Sequence, residues 1–99
     1  MKSSRVRYTP EAARLIGGLP PEIKRLIRSA IEELRKDPQK GYELSGEFAG
    51  DYSFKPGRYR IIYRVNYRVN EEESAIEIYH VGHRREVYET FRALLDSLL

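Results

Sequence analysis

The chain contains no cysteine. Disulfides, thiolate metal sites and cysteine nucleophiles are thereby excluded, and a reducing cytoplasm fits. No stretch approaches the roughly 20 apolar residues needed to cross a bilayer. The N-terminal MKSSRVRYTPEA lacks the apolar run of a secretory signal. These absences predict a soluble cytoplasmic protein with no membrane partner. Internal repeats, low-complexity tracts and linkers are missing too. Ninety-nine residues leave little room for a second core, so one domain over 1–99 is expected. The acidic run Glu71-Glu72-Glu73 has no histidine at ligand spacing, so neither a metal nor another cofactor is expected.

Net charge is small too, since 18 Lys and Arg stand against 15 Asp and Glu. The net charge is +3 and the isoelectric point about 9.3. The positive excess is local instead. Residues 52–70, YSFKPGRYRIIYRVNYRVN, carry Lys55, Arg58, Arg60, Arg64 and Arg68 and no acidic group. They alternate with aromatic and aliphatic residues. A strand so patterned buries one face and offers fixed positive charge to a phosphate backbone on the other. Arginines alternating on a strand also occur as a merely solvated face, so this pattern alone does not decide.

The elements follow from spacing. Arg5 to Tyr8 reads as a short strand. Thr9-Pro10-Glu11 reads as a helix start with Thr9 as N-cap, and Gly17-Gly18 as its end in a left-handed turn. Pro20-Pro21 opens a second helix. Its Ile23, Leu26, Ile27, Ala30, Ile31 and Leu34 form one apolar stripe, and Asp37-Pro38 stops it. Lys40 to Gly50 reads as an irregular connection. A strand begins at Asp51, and Lys55-Pro56-Gly57-Arg58 fits a type II turn. In the strand Arg58 to Tyr67, Tyr59, Ile61, Tyr63, Val65 and Tyr67 share one face. Arg58, Arg60, Ile62, Arg64 and Asn66 share the other. A hairpin loop follows over Arg68 to Ser74. Ala75 to Val81 is the last strand, broken by Gly82. Val87, Phe91, Leu94, Leu95 and Leu98 repeat at helical spacing. The expected fold is α+β, in the order β-α-α-β-β-β-α. Its sheet is small and mainly antiparallel, packed by an αα-hairpin and a C-terminal helix.

Two motifs, GDYSFKPGRYRIIYRV (50–65) and IEIYHVGHRREVYE (76–89), resemble the RelE/ParE toxins of type II toxin–antitoxin pairs. The resemblance runs over nearly the whole chain and implies that family's fold. RelE-like members resemble ribonucleases that cut messenger RNA on the ribosome. ParE-like members share the fold and poison DNA gyrase. The resemblance assigns Lys55, on the strand before the turn, and Arg60, in G-R-Y-R, to the site. It adds His83, Arg84 and Tyr88 past the last strand. Ser53 stands where a second lysine often lies, which removes one phosphate contact. This set favours the nuclease branch. The gyrase inhibitor, and an inactive member that only binds antitoxin and represses its operon, remain alternatives.

For RNA cleavage the 2′-hydroxyl attacks the adjacent phosphorus and a 2′,3′-cyclic phosphate forms. Of the candidate groups, His83 has the intrinsic pKa nearest neutrality for proton transfer. Tyr88 and Lys55 require a lowered pKa for that role. Arg60 and Arg84 suit charge stabilisation at phosphate. Arg58, Arg64 and Arg85 are candidate RNA contacts. His80, inside the last strand, reads as a packed histidine. The resemblance implies three partners: messenger RNA, the ribosome, and a cognate antitoxin that is acidic or partly disordered and wraps the toxin.

Overall fold

The computed structural model describes residues 4–67 and 74–97. The elements are β1 (Arg5–Tyr8), α1 (Pro10–Gly17), α2 (Pro21–Lys36), β2 (Tyr42–Glu43), β3 (Tyr52–Phe54), β4 (Tyr59–Tyr67), β5 (Ser74–His83) and α3 (Val87–Ser97). Short 3₁₀ turns at Pro38–Lys40 and Gly46–Phe48 flank β2. The five strands form one sheet in the order β1-β5-β4-β3-β2. Only β1 and β5 run parallel; the other pairs are antiparallel. Among the described residues no helix is long and apolar enough to cross a membrane.

The expected α+β order holds, with β2 added inside the segment expected to be irregular. Other departures have local causes. Gly18 adopts φ −86° and ψ −3°, in the right-handed rather than the left-handed region. The Leu19 amide bonds to the Ile16 carbonyl, closing a tight last turn before Pro20. The β3–β4 turn lies one residue later than expected. Tyr59 N donates to Pro56 O, which places Gly57, at φ +58°, first of the two central residues. A positive φ there belongs to the primed turns, whose twist matches that of the strands they join. Gly82 does not break β5. It pairs with Arg60 inside the ladder, and a Cβ on it would lie 3.3 Å from Val87 Cγ2. The missing side chain lets α3 approach the strand. Of the loop expected over Arg68 to Ser74, residues 68–73 lie outside the described residues, as does Leu98, and Ser74 already belongs to β5.

Thr9 caps α1 as expected: its hydroxyl oxygen accepts from Ala12 N at 3.1 Å. A cap of this kind is worth about 1 kcal/mol. From α2, Ile27, Ala30, Ile31 and Leu34 are buried with Ala12 and Ile16 of α1. They pack on Ile61 and Tyr63 of β4 and on Ile76, Ile78 and Val81 of β5. Leu26, at the edge of the expected stripe, is 39% exposed and reaches only to the β3–β4 turn near Gly57.

The opposite sheet face carries a smaller cluster of Phe48, Ile62, Val87 and Phe91. A bulge lets β5 serve it. The register passes from Ile62↔His80 to Tyr63↔Ile78, so Tyr79 is the extra residue. Tyr79 and His80 thereby both meet Phe91, with ring centroids 6.5 and 5.8 Å apart. His80 is buried, as a packed histidine would be. Desolvation holds its imidazole below the ordinary value, and its Nδ1 has no hydrogen-bond partner.

Tyr63 joins the two halves of the fold. Its buried hydroxyl donates to Pro38 O at 2.8 Å and accepts from Gly41 N at 3.0 Å. The Tyr52 ring stacks on it at 5.5 Å. Gly41 is needed there for room, since its own backbone is extended at φ −74°. A Cβ would sit 2.8 Å from Ser53 O and closer still to the Tyr63 hydroxyl. Gly41→Ala is therefore expected to lower stability by roughly 1–3 kcal/mol, the usual cost of overpacking. Thermal unfolding followed by circular dichroism checks this; an unchanged melting temperature would refute the fit described here.

Candidate active site on the β2–β3 side of the sheet

Alternation sets which side chains share a face. Ser53 of β3 pairs with Ile62 of β4 and, on its other side, with Tyr42 of β2. Lys55 follows Ser53 by two residues, and its Nζ lies 4.5 Å from the centroid of the Tyr42 ring. Tyr88, in the first turn of α3, brings its hydroxyl to 3.1 Å from Ser53 Oγ and 3.4 Å from Tyr42 Oη. Three hydroxyls and an ammonium thus converge from three chain segments. Arg60, on the same face of β4, acts electrostatically on Tyr88. Its Nη1 donates to the carbonyls of Gly57 and Tyr59 at 3.2 and 2.7 Å. The guanidinium is held against its own turn by these bonds.

The two phenols differ in environment. Burial alone pushes the Tyr42 phenol up. The hydrogen bonds with Tyr88 and Ser53 and the Lys55 ammonium outweigh it, and the group ends below its ordinary value. Tyr88 moves the other way: burial raises it, Ser53 pulls it back, and its contact with Tyr42 raises it again. Two phenols this close titrate as a pair, with Tyr42 the more acidic member.

The remaining candidates fall elsewhere. Arg84 and Arg58 meet through the backbone, Arg84 N donating to Arg58 O at 2.8 Å. Both are exposed, as is Arg85, at the sheet end where β4 starts and β5 stops. They form a positive rim beside Arg60. His83 sits directly across from Tyr59, its ring edge-on at 5.6 Å. Tyr59 packs with the cluster beneath α1 and α2. His83 therefore lies on the opposite face of the sheet from Tyr88, and its Nδ1 accepts from Arg85 N at 3.3 Å. Arg64 lies farther along β4, where its Nε donates to Asp51 Oδ1 at 3.1 Å. Burial pushes the Asp51 carboxyl up, against the pull of Arg64. A 160 Å³ cavity beside this pair is lined by Tyr79, Phe91 and Leu95. Among the described residues no three His, Asp or Glu side chains converge as metal ligands.

The structure thus gathers Lys55, Arg60 and Tyr88, sets Arg58, Arg84 and Arg85 on the adjoining rim, and separates His83 and Arg64 from them. Sequence reasoning missed Tyr42 because a two-residue strand carries no periodicity. It read Ser53 as a lost phosphate contact; here its hydroxyl anchors Tyr88.

Similar proteins were found in three ways. The family described as ParE toxin of type II toxin-antitoxin system, parDE, matches residues 6–88. Toxin RelG of Mycobacterium tuberculosis is 34% identical over 85 residues, covering 84% of this chain and 93% of that protein. The RelBE2 toxin–antitoxin complex of the same organism contains a chain that superposes with TM-score 0.70 at 32% identity, over 85% of this chain and 94% of that one. An archaeal RelE–RelB complex from Pyrococcus horikoshii gives TM-score 0.60 at 21% identity, over 83% and 96%, a likeness of fold alone.

The site geometry predicts a tyrosine titration. The Lys55 charge favours the phenolate, so wild type should contain a tyrosine that ionises below the ordinary range near 10. In Tyr42→Phe that ionisation should vanish. In Lys55→Met it should move to higher pH. Ultraviolet difference titration reads all three, and an unchanged curve in Lys55→Met would contradict the assignment.

Proposed function

The chain belongs to the RelE/ParE family of type II toxin–antitoxin toxins, and from that premise we propose that it is an endoribonuclease. It cuts messenger RNA on the ribosome without a metal and so arrests translation. One observation carries this reading: the hydroxyl of Tyr88 is fixed between Ser53 and Tyr42, beside Lys55 and on the face that Arg60 occupies. Proton transfer and positive charge are then available around one phosphate.

In this scheme the RNA backbone crosses the sheet end at the rim of Arg58, Arg84 and Arg85. Arg60 and Arg84 grip the non-bridging phosphate oxygens. Guanidinium remains charged throughout and matches two oxygens at once. As negative charge builds at phosphorus, these donors and Lys55 stabilise it. The 2′-hydroxyl passes its proton to a phenolate of the cluster at Tyr88, and the hydroxide left by the water that protonates O5′ later takes that proton back. O2′ bonds to phosphorus, the bond to O5′ breaks, and O5′ takes a proton from water. The products are a 2′,3′-cyclic phosphate and a 5′-hydroxyl. His83, on the far side of the sheet, has no part in this scheme.

The solved complexes RelBE2 and RelE–RelB pair a toxin with an antitoxin. By the same relationship this chain has a cognate antitoxin, acidic or partly disordered, that covers the basic rim. A second reading, inhibition of DNA gyrase, draws on two observations. The matching family carries the ParE name, and Ser53 replaces a lysine that a nuclease of this kind often has. A supercoiling assay at micromolar protein separates the two.

The nuclease reading predicts cleavage of a short messenger bound in ribosomes, at the decoding site, with a cyclic phosphate at the new end. Arg60→Ala and Arg84→Ala should each slow it by about 10²–10³-fold, the usual loss for one preorganised charge donor. Full activity in the Lys55/Arg60/Arg84 triple alanine variant would sink the scheme.

A further inference from the structure

Tyr42 has no part in the scheme drawn from sequence, yet its setting is fixed from several sides. Its backbone is paired with Ser53. The preceding residue, Gly41, is clamped by the Tyr63 hydroxyl and leaves no room for a side chain. The Tyr42 ring lies under the Lys55 ammonium, and its hydroxyl meets that of Tyr88. Despite these contacts the residue is 43% exposed. A large aromatic side chain on a fixed backbone, held at its ring and its hydroxyl and still open to solvent, is placed to meet a substrate.

Geometry also limits the roles of the two phenols. In an in-line displacement the proton acceptor and the leaving oxygen lie on opposite sides of phosphorus. Hydroxyls 3.4 Å apart cannot flank a phosphate. Tyr42 and Tyr88 therefore serve the same side, one as acceptor and the other as its hydrogen-bond donor. Lys55 lies on Tyr42 rather than on Tyr88. The groups facing Tyr42 are Ser53 and Lys55 from β3 and its end and Tyr88 from α3, while Arg60 of β4 acts on Tyr88.

We propose that Tyr42 is a catalytic residue, its phenolate oxygen accepting the 2′-hydroxyl proton while Tyr88 donates a hydrogen bond to that oxygen and Lys55 balances its charge. This assignment rests on the endoribonuclease reading above. The balance is simple. Tyr42 Oη gains the proton, O2′ gains phosphorus, and O5′ leaves with a proton from water. The hydroxide so formed takes the proton back from Tyr42 and resets the site. The lowered Tyr42 phenol and the raised Tyr88 phenol agree with this order.

The test is a single-turnover cut of a short messenger in ribosomes by the full chain, followed from neutral to alkaline pH. Wild type should speed up with pH and level off below the ordinary phenol range. Tyr42→Phe should bind ribosomes and melt as wild type does, cut about 10²–10⁴-fold more slowly, and lose the rise with pH. Fluorotyrosine at position 42, a more acidic phenol, should move the rise to lower pH. A Tyr42→Phe protein that cuts at the wild-type rate overturns the Tyr42 assignment and leaves the nuclease reading standing. A slower cut with an unchanged pH profile overturns it too, because a structural role alone gives that result. Wild type that cuts no RNA overturns both readings.

Discussion

The buried hydroxyl of Tyr63 is where the two halves of this molecule are joined. One oxygen donates to Pro38 and accepts from Gly41, bridging the end of α2 to the start of β2. Leaving a buried donor or acceptor unpaired costs about 1–3 kcal/mol, so the segment 38–41 has little freedom to pair in another register. From that one contact the β2–β3 register follows. The register sets Tyr42 across from Ser53, and Tyr42 gives Lys55 and Tyr88 their common neighbour.

The sheet is covered unequally, and that inequality makes the site. α1 and α2 cover one face, including most of β4 and β5. On the other face α3 and Phe48 cover only the middle. The strip from Lys55 to Arg60 is left beside the first turn of α3, half in contact with protein and half with water. Such a position suits proton transfer. Neighbours shift the phenols, and Tyr42 stays open to solvent. Farther along β4 the same face is still open to solvent at Arg64, whose side chain is 46% exposed. Arg64 there is committed to Asp51, whose side chain is only 8% exposed. Arg60 and Arg64 are alike in sequence pattern and unlike in partner, the first bonded to carbonyls of its own turn and the second to a carboxylate.

The family relationship and the site geometry carry different parts of the functional argument. Belonging to the RelE/ParE family makes the chain a toxin of a type II pair. The substrate is argued from the cluster itself. Three hydroxyls and the Lys55 ammonium converge there, and the proposed RNA cleavage rests on that arrangement. At Ser53 the hydroxyl holds Tyr88 in place, and positive charge lies close by at Lys55.

Much of this was legible in the chain because it depends on neighbours in sequence. Thr9 and Pro10 start α1, the stripe from Ile27 to Leu34 buries α2, and Asp37-Pro38 ends it. A period of two put Arg60 and Ile62 on one face and Ile61 and Tyr63 on the other. Lys55, Arg60 and Tyr88 were named from sequence because the two motifs resemble those of the RelE/ParE family. Three features were set only by contacts between distant segments. The bulge at Tyr79 turns His80 toward α3, and no residue of AIEIYHV announces it. Gly82, read as a breaker, continues the strand through its pairing with Arg60 and leaves room for Val87, and pairing with Tyr59 carries His83 to the far face. Tyr42 joins the site through a two-residue strand held by a hydroxyl that lies 21 residues later in the chain (63 − 42). Local periodicity tells which way a side chain points from its own backbone. Which side chains then meet is decided by pairing across the sheet, and that depends on packing the local pattern does not contain.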